Sequence, residues 1–295
     1  MTDLIRAACA VGLSVWLACA AHAQTRPGTE EASSDAQLES RLRAFLKQSA
    51  HGLPFREAHQ LPQKEATKIL LRILGSEKGA DRDLRAGTVA LLGILGDPDA
   101  VGPLKAFMKG AGFGSPVDKR DCAGLVDIPM ALGYTLAEIN RQLKHSRKKR
   151  LEKARADILG YLLGGLQPAF WHKQAQWTSP VHATETERNI ALAKMAILGL
   201  GISGDPLALA GRPGRETEGL EWLARHLDRH DEALRGQRPE AAARHAWVKD
   251  LKPEVLDNLK HAVRAAIENN RFIAQYGLER YHSREALSLP TPASR

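Results

Sequence analysis

The heptapeptide Leu92–Pro98, LGILGDP, recurs almost unchanged as Leu200–Pro206, LGISGDP. The two copies are offset by 108 residues, which divides into three units of about 36, a length that suits a pair of helices joined by two turns. Glycines that follow a leucine at Gly133 and Gly164 lie near the two intermediate places, so that successive glycines are separated by 40, 31 and 37 residues. This spacing predicts an array of helical repeats.

The repeated heptapeptide has the composition of a turn between two helices. Asp97 and Asp205 each precede a proline, which suits the first helical position because its missing N–H costs nothing there. The aspartate is then placed to accept a backbone N–H of the next helix, and we predict that both aspartates are helix-capping residues. Apolar residues recur at helical spacing on both sides of the first copy, at Leu84, Leu91, Leu92, Leu95, Val101, Leu104, Phe107 and Met108.

The stretch from Arg85 to Leu104 resembles one unit of the HEAT-like α-solenoid family, which includes the short repeats of bilin lyases. The matching residues are Arg85, Val89, Leu91, Leu92, Gly93, Gly96, Asp97, Pro98, Ala100, Val101 and Leu104. The second copy departs from the family at Ala193, which stands where the family's arginine would align with Arg85. The resemblance covers residues 62–110 and 186–210, and it implies a right-handed α-solenoid of antiparallel helix pairs that binds partners.

Most of the remaining chain also has helical periodicity. Four further segments carry apolar residues at steps of three and four, namely residues 38–46, 69–74, 220–234 and 256–267. Period-two alternation is scarce, so the sequence predicts an all-α fold. We place a polar N-terminal segment at residues 24–34, the HEAT-like repeat domain at residues 35–285 and a frayed tail at residues 286–295.

The first 23 residues have the pattern of a secretory signal peptide. One arginine precedes an apolar run over residues 7–21, and Ala21-His22-Ala23 places small residues where a signal peptidase cleaves. Cleavage there makes Gln24 the first residue, and no later run approaches membrane-spanning length. We therefore expect a periplasmic or secreted protein. Cys122 is then the only cysteine of the mature chain, which excludes an intramolecular disulfide and favours a core position for this residue.

A basic stretch supplies the first candidate ligand-binding residues. The chain has 42 lysines and arginines against 34 acidic residues, a formal charge of +8. Eight basic side chains cluster within twelve positions, at Lys144, His145, Arg147, Lys148, Lys149, Arg150, Lys153 and Arg155. We single out Arg147, Lys148, Lys149 and Arg150 as a polyanion-binding candidate; the alternative is a solvated helix end that only maintains solubility. Export makes cytosolic nucleic acid an unexpected partner.

Residues 167–184 form the second candidate region. This segment contains Trp171, His172 and Trp177, and two prolines prevent it from being one uninterrupted helix. Long connections inside compact arrays are often functional, so these three residues are candidate ligand contacts. The alternative is that the aromatic side chains anchor the connection against the core.

Histidine spacing gives a weaker signal. His226 and His230 lie four residues apart on a predicted helix, as in some metal sites, but the glutamate of the H-E-x-x-H pattern is missing. Leucines define the buried face of this helix, so we expect both histidines to face solvent. We predict no metal and no cofactor.

These observations favour a binding or scaffold module for a protein or an anionic envelope polymer. The composition, with 43% hydrophobic and 26% charged residues, excludes a disordered chain. No stretch carries a catalytic signature. The alternative function is a helical-scaffold enzyme, a hydrolase or lyase, whose site lies on an irregular loop between helices.

Overall fold

Every regular element in the described part of the chain is helical apart from one isolated bridge between Arg212 and Arg215, so the predicted all-α class is confirmed. The computed structural model describes residues 27–48, 55–110, 117–146, 148–215, 218–228 and 246–288. The α-helices of these segments are α1 (Pro27–Gln48), α2 (Phe55–His59), α3 (Gln63–Leu74), α4 (Gly79–Arg82), α5 (Arg85–Leu95), α6 (Val101–Met108), α7 (Lys119–His145), α8 (Lys149–Gly165), α9 (Pro168–Gln174), α10 (Glu185–Ile202), α11 (Pro206–Ala210), α12 (Leu220–Asp228), α13 (Pro253–Tyr276) and α14 (Leu278–Ser288).

The chain divides into two units, residues 1–40 and residues 41–295. The predicted signal peptide, residues 1–23, lies outside the described residues. Helix α1 begins at Pro27, within the predicted polar segment, because a proline fits the first helical position. Helix α14 continues to Ser288, three residues into the predicted frayed tail. The second unit contains the end of α1 and all the later helices.

Four helices of the second unit pack in the order of the chain. Helix α5 packs on α7, α7 packs on α10, and α10 packs on α13. The intervening helices pack against members of this row: α3 contacts α5, α6 contacts α7, α8 and α9 contact α10, and α12 contacts α13. The core therefore lies between the row and the intervening helices, where the leucines of the sequence repeats are buried.

Three of the glycines that mark the sequence repeat lie at contacts within this row. A Cβ on Gly93 of α5 would lie 2.6 Å from the Ala131 Cα of α7. A Cβ on Gly133 of α7 would lie 2.5 Å from the Gly199 Cα of α10, and one on Gly201 would lie 2.7 Å from the Ala266 Cα of α13. These glycines let neighbouring backbones approach more closely than any side chain allows. Gly164 differs, because it faces the Phe170 ring.

The two copies of the heptapeptide form turns of the predicted kind. Gly96 and Gly204 have φ angles of 66° and 59°, in the left-handed region that favours glycine. The Asp97 carboxylate accepts the Asp99 N–H at 3.0 Å, and the Asp205 carboxylate accepts the Leu207 N–H at 3.0 Å. The aspartates predicted to cap helices therefore make capping hydrogen bonds. A short 3-10 helix, Pro98–Ala100, intervenes before α6.

Helix α7 is the longest described helix and contains Pro129. It is the one described helix that is long and apolar enough to cross a membrane, but 72% of its apolar stretch is buried inside the protein. The Asp118 carboxylate caps its N-terminus by accepting the Arg120 N–H at 2.9 Å. The burial of α7 between α5 and α10 accounts for its apolar composition.

Arg85, which carries the family resemblance, is buried with 1% of its side chain exposed. Its guanidinium donates to the Asp121 carboxylate at 2.7 Å and to the Ser76 carbonyl at 2.6 Å. Arg82 donates to the other Asp121 oxygen at 2.6 Å. This network ties α5 to the first turn of α7, and the loss of one partner leaves an uncompensated buried charge, which costs about 3–5 kcal/mol.

Helices α2 and α14 are in contact although they are far apart in the sequence of the second unit. The Phe55 ring stacks on the His282 ring with centroids 4.2 Å apart. The Arg56 guanidinium donates to the Ser283 hydroxyl at 3.0 Å, across 227 positions of sequence. The early and late parts of this unit are thus in direct contact.

Candidate binding groove

A groove of about 860 Å³ opens where several helices of the second unit end. It is lined by α2, by the last turns of α7, by the turn between α10 and α11, by the junction of α13 and α14, and by Arg155 of α8. We call it the α7 groove. Its volume lies within the range of about 300–1,000 Å³ that is usual for ligand pockets.

The last turns of α7 form the charged wall of the α7 groove. Glu138 and Arg141 lie three residues apart on one helix face, and the Arg141 guanidinium donates to both Glu138 oxygens, at 2.7 and 2.6 Å. This hydrogen bonding raises the pKa of Arg141, so that it keeps its charge at all working pH values. Glu138 is 5% exposed, whereas Arg141 is 64% exposed, and the charge available to a ligand on this wall is therefore the positive one.

A hydrogen-bonded network forms another part of the groove wall. Arg155 of α8 donates to both Asp205 oxygens, at 2.7 and 2.8 Å, and its Nε also contacts the Asn140 side-chain oxygen at 3.0 Å. The Asn140 amide donates to the Ser203 carbonyl at 3.2 Å. Asp205 thus caps α11 and neutralises Arg155 at the same time. This part of the wall therefore carries little net charge.

Lys144 and His145 lie at the exposed end of α7, and neither forms an ion pair within the described part of the chain. Glu279, at the start of α14, is a carboxylate that also lines the groove. Burial lowers the pKa of His59, which is therefore neutral at pH 7. The Lys144 cation at the end of α7 also complements the helix dipole. Among the residues that line the groove, the charges without an ion pair are therefore those of Lys144 and Glu279.

The remaining surface of the α7 groove is apolar. It is formed by Phe55, Leu143, Ile273, Tyr276 and Leu278. Tyr276 is 46% exposed, which makes it one of the most exposed large apolar side chains in the described residues. Among the described residues, the groove therefore offers an apolar surface beside the unpaired cation Lys144.

The predicted basic stretch continues this rim, because α7 ends at His145 and α8 begins at Lys149. Lys148 and Lys149 are exposed and have no ion pair among the described residues. Arg150 is paired with Asp99. Arg147 lies outside the described residues. Two of the four candidate cations are thus exposed in the segment that follows the Lys144–His145 end of the α7 groove.

The tryptophans of the predicted aromatic region are buried. Trp171 has no exposed surface, and its indole N–H donates to the Gly165 carbonyl at 2.7 Å. Trp177 is 3% exposed, and its indole N–H donates to the Met108 carbonyl at 2.9 Å. Neither ring offers a surface to a ligand in this conformation, so the geometry is that of the anchoring alternative. His172 differs, since it is exposed and lies 2.6 Å from a Glu185 oxygen.

The irregular segment after α9 contains a serine beside a histidine, which bears on the alternative function of an enzyme. The Ser179 oxygen lies 2.7 Å from His182 Nδ1. The same oxygen accepts the backbone N–H groups of Val181 and His182 at 3.2 and 3.1 Å. Ser179 is only 9% exposed. This is the geometry of a turn held by its serine.

Cys122 lies 3.7 Å from the Ser179 oxygen and is 2% exposed, which confirms the predicted core position. Burial raises the pKa of its thiol, so the reactive thiolate is disfavoured at neutral pH. Burial also lowers the pKa of His182. Neither residue has the environment of an activated nucleophile or of a charged partner for one.

The prediction that His226 faces solvent was wrong. This side chain has no exposed surface and stacks on Trp222 with ring centroids 5.0 Å apart, because it lies on the buried face of α12 beside Leu227. His230 lies outside the described residues. Within the described segments, no group of three or more His, Cys, Asp or Glu side chains is placed to hold a metal ion.

Sequence reasoning missed most of the α7 groove. Lys144, His145 and Arg155 belong to the basic stretch, but nothing in the sequence connects them with Glu138 or with the junction of α13 and α14. The only local signal is the spacing of charged residues over the last turns of α7.

Comparison of the chain with protein-family models, with curated proteins and with solved structures gave no match.

Proposed function

We propose that this chain is an exported binding module of HEAT-like repeats, and that the α7 groove with its basic rim binds an acidic segment of a partner protein. The observation that carries the proposal is the apolar surface of the α7 groove, which lies beside the unpaired cation Lys144 and is followed in the chain by the exposed Lys148 and Lys149. An extended peptide that alternates acidic and apolar residues matches both features.

The α-solenoid arrangement is supported by the packing of the row. Each member of α5, α7, α10 and α13 contacts the next in chain order, as expected when stacked repeats touch only their neighbours. The repeated glycines, Gly93, Gly133 and Gly201, each occupy one of these contacts. The right-handed sense and the export of the chain rest on the sequence patterns.

The apolar part of the groove supports one of the two partner classes over the other. A polyanionic polymer gains its affinity from charge alone and has no use for Tyr276 or Leu278. A protein segment gains about 25 cal/mol of binding free energy for each Å² of apolar surface that it buries. It also pairs its carboxylates with the lysines. We therefore favour the protein partner over the envelope polymer.

The test is a fluorescence-anisotropy titration of residues 24–295 with a labelled peptide in which glutamate alternates with leucine. The variant Lys144→Ala/Lys148→Ala/Lys149→Ala is compared with Lys64→Ala/Lys68→Ala/Lys119→Ala, which removes the same charge from exposed lysines outside both the groove and the basic stretch. At about 0.5 kcal/mol for each rim charge, the groove variant should lose about tenfold in affinity, and the control should change little.

A second pair of titrations distinguishes the partner classes. Tyr276→Ala should weaken binding of the peptide and leave binding of dextran sulfate unchanged, because only the peptide contacts the apolar surface. Equal peptide affinities of the two triple-lysine variants would contradict the groove as the site. Binding of dextran sulfate without binding of the peptide would favour the envelope polymer instead.

A further inference from the structure

A second, smaller cavity lies between three successive members of the helix row and α14. Its volume is about 220 Å³, and its wall includes Met130, Tyr134, Leu198, Ile202, Asn269 and Tyr281. None of these residues lines the α7 groove. We call it the tyrosine cavity. Four of these side chains, Met130, Tyr134, Leu198 and Asn269, are partly exposed, so a ligand has access from solvent.

The lining of the tyrosine cavity excludes charged ligands. No Asp, Glu, Lys, Arg or His lines it, and an ionised group placed there would lose hydration without gaining a partner of opposite charge. The apolar part of the lining consists of aliphatic side chains, two tyrosine rings and the Met130 thioether. Aromatic rings and thioethers pack favourably against an aromatic ligand.

Asn269 supplies a hydrogen-bonding group in the wall of the tyrosine cavity. The Asn269 amide N–H donates to the Tyr281 hydroxyl at 3.1 Å, which fixes the orientation of the amide. The Asn269 carbonyl oxygen has no partner among the described residues and is therefore an acceptor for one hydroxyl hydrogen. A hydrocarbon of the same size leaves this oxygen without that bond.

We infer that the tyrosine cavity binds a small neutral phenol. An apolar cavity of about 150 Å³ holds one benzene molecule, so one of about 220 Å³ has room for a ring with two or three additional non-hydrogen atoms. The phenol ring packs between the tyrosines, and its hydroxyl donates to the Asn269 carbonyl oxygen. This site does not depend on the function proposed for the α7 groove.

The test is isothermal titration calorimetry with p-cresol, toluene and 4-methylbenzoate as probes. We expect saturable binding of p-cresol with one site per chain. Toluene should bind about tenfold more weakly because it lacks the hydroxyl. The benzoate should not bind, because its carboxylate has no cation to meet in the cavity.

Two variants connect this binding to the cavity. Leu198→Trp fills it and should abolish p-cresol binding, whereas Leu143→Trp, the same substitution in the α7 groove, should leave it unchanged. Asn269→Leu should remove the difference between p-cresol and toluene, and this substitution, which is similar in size to the natural residue, keeps the test valid if Leu198→Trp does not fold. No saturable binding of p-cresol, or binding unchanged in Leu198→Trp and Asn269→Leu, would overturn the inference.

Discussion

The substitution Gly133→Ala tests whether the repeated glycines hold the helix row together. A Cβ at this position would lie 2.5 Å from Gly199 Cα and 2.6 Å from the Gly199 carbonyl carbon. Both are backbone atoms, which no side-chain rotation can move. An ordinary contact begins near 3.4 Å, so α7 and α10 must separate by almost 1 Å and loosen buried neighbours such as Leu132 and Leu200.

Two opposing effects determine how much stability Gly133→Ala loses. Overpacking of a close contact costs about 1–3 kcal/mol, and a clash between two backbones belongs at the upper end of this range. The higher helix propensity of alanine offsets part of this cost, because alanine in a helix interior is more stable than glycine by up to about 1 kcal/mol. We therefore expect Gly133→Ala to lower the free energy of unfolding by about 2 kcal/mol, which corresponds to a fall in Tm of about 4–8 °C for a domain of this size.

Differential scanning calorimetry measures this loss, and Gly160→Ala is the matched control. Gly160 lies inside α8, and a Cβ there meets only the end of the Arg212 side chain at 3.7 Å. The control should raise stability by about 0.5–1 kcal/mol, because the propensity gain is not opposed by a clash. If Gly133→Ala raised Tm as Gly160→Ala does, the close contact between α7 and α10 would be refuted.

Two further expectations follow from burial. Trp171→Ala and Trp177→Ala should each cost about 3–5 kcal/mol in thermal or urea unfolding and leave the peptide affinity of the folded protein unchanged; lost affinity at constant stability would contradict the anchoring role. Burial raises the pKa of Asp127 from 3.8 to about 6, so the protonated carboxyl favours folding below pH 4 and this stabilisation disappears as pH rises through 6. Asp127→Asn should therefore gain up to about 2 kcal/mol over the natural chain between pH 4 and pH 7 in paired melting curves, and a constant difference would contradict the shift.

The turns of the heptapeptide were predictable because their chemistry is local. The Asp97 carboxylate reaches the N–H of a residue two positions later, and Gly96 adopts its positive φ within the same turn. A pattern of adjacent residues contains everything that these contacts need. The same reasoning identified the all-α class, since apolar periodicity is also a property of short windows.

The positions of Trp177 and His226 required information that no short window contains. The Trp177 indole bonds a carbonyl 69 residues away, so its burial depends on how α6 meets the segment after α9. His226 counts as polar in a periodicity analysis, but stacking on Trp222 lets it occupy a buried position. The α7 groove combines residues from Phe55 to Glu279, and its existence depends on the packing of the whole unit.

The contact between α2 and α14 affects how the protein comes apart. In an open array of repeats, a terminal helix can detach and leave the other repeats intact. Here the release of α14 also removes the stacking partner of Phe55 and the acceptor of Arg56, so that α2 loses support at the other end of the unit. Fraying at one end is therefore coupled to fraying at the other, and the second unit gains cooperativity that a row of independent neighbours does not have.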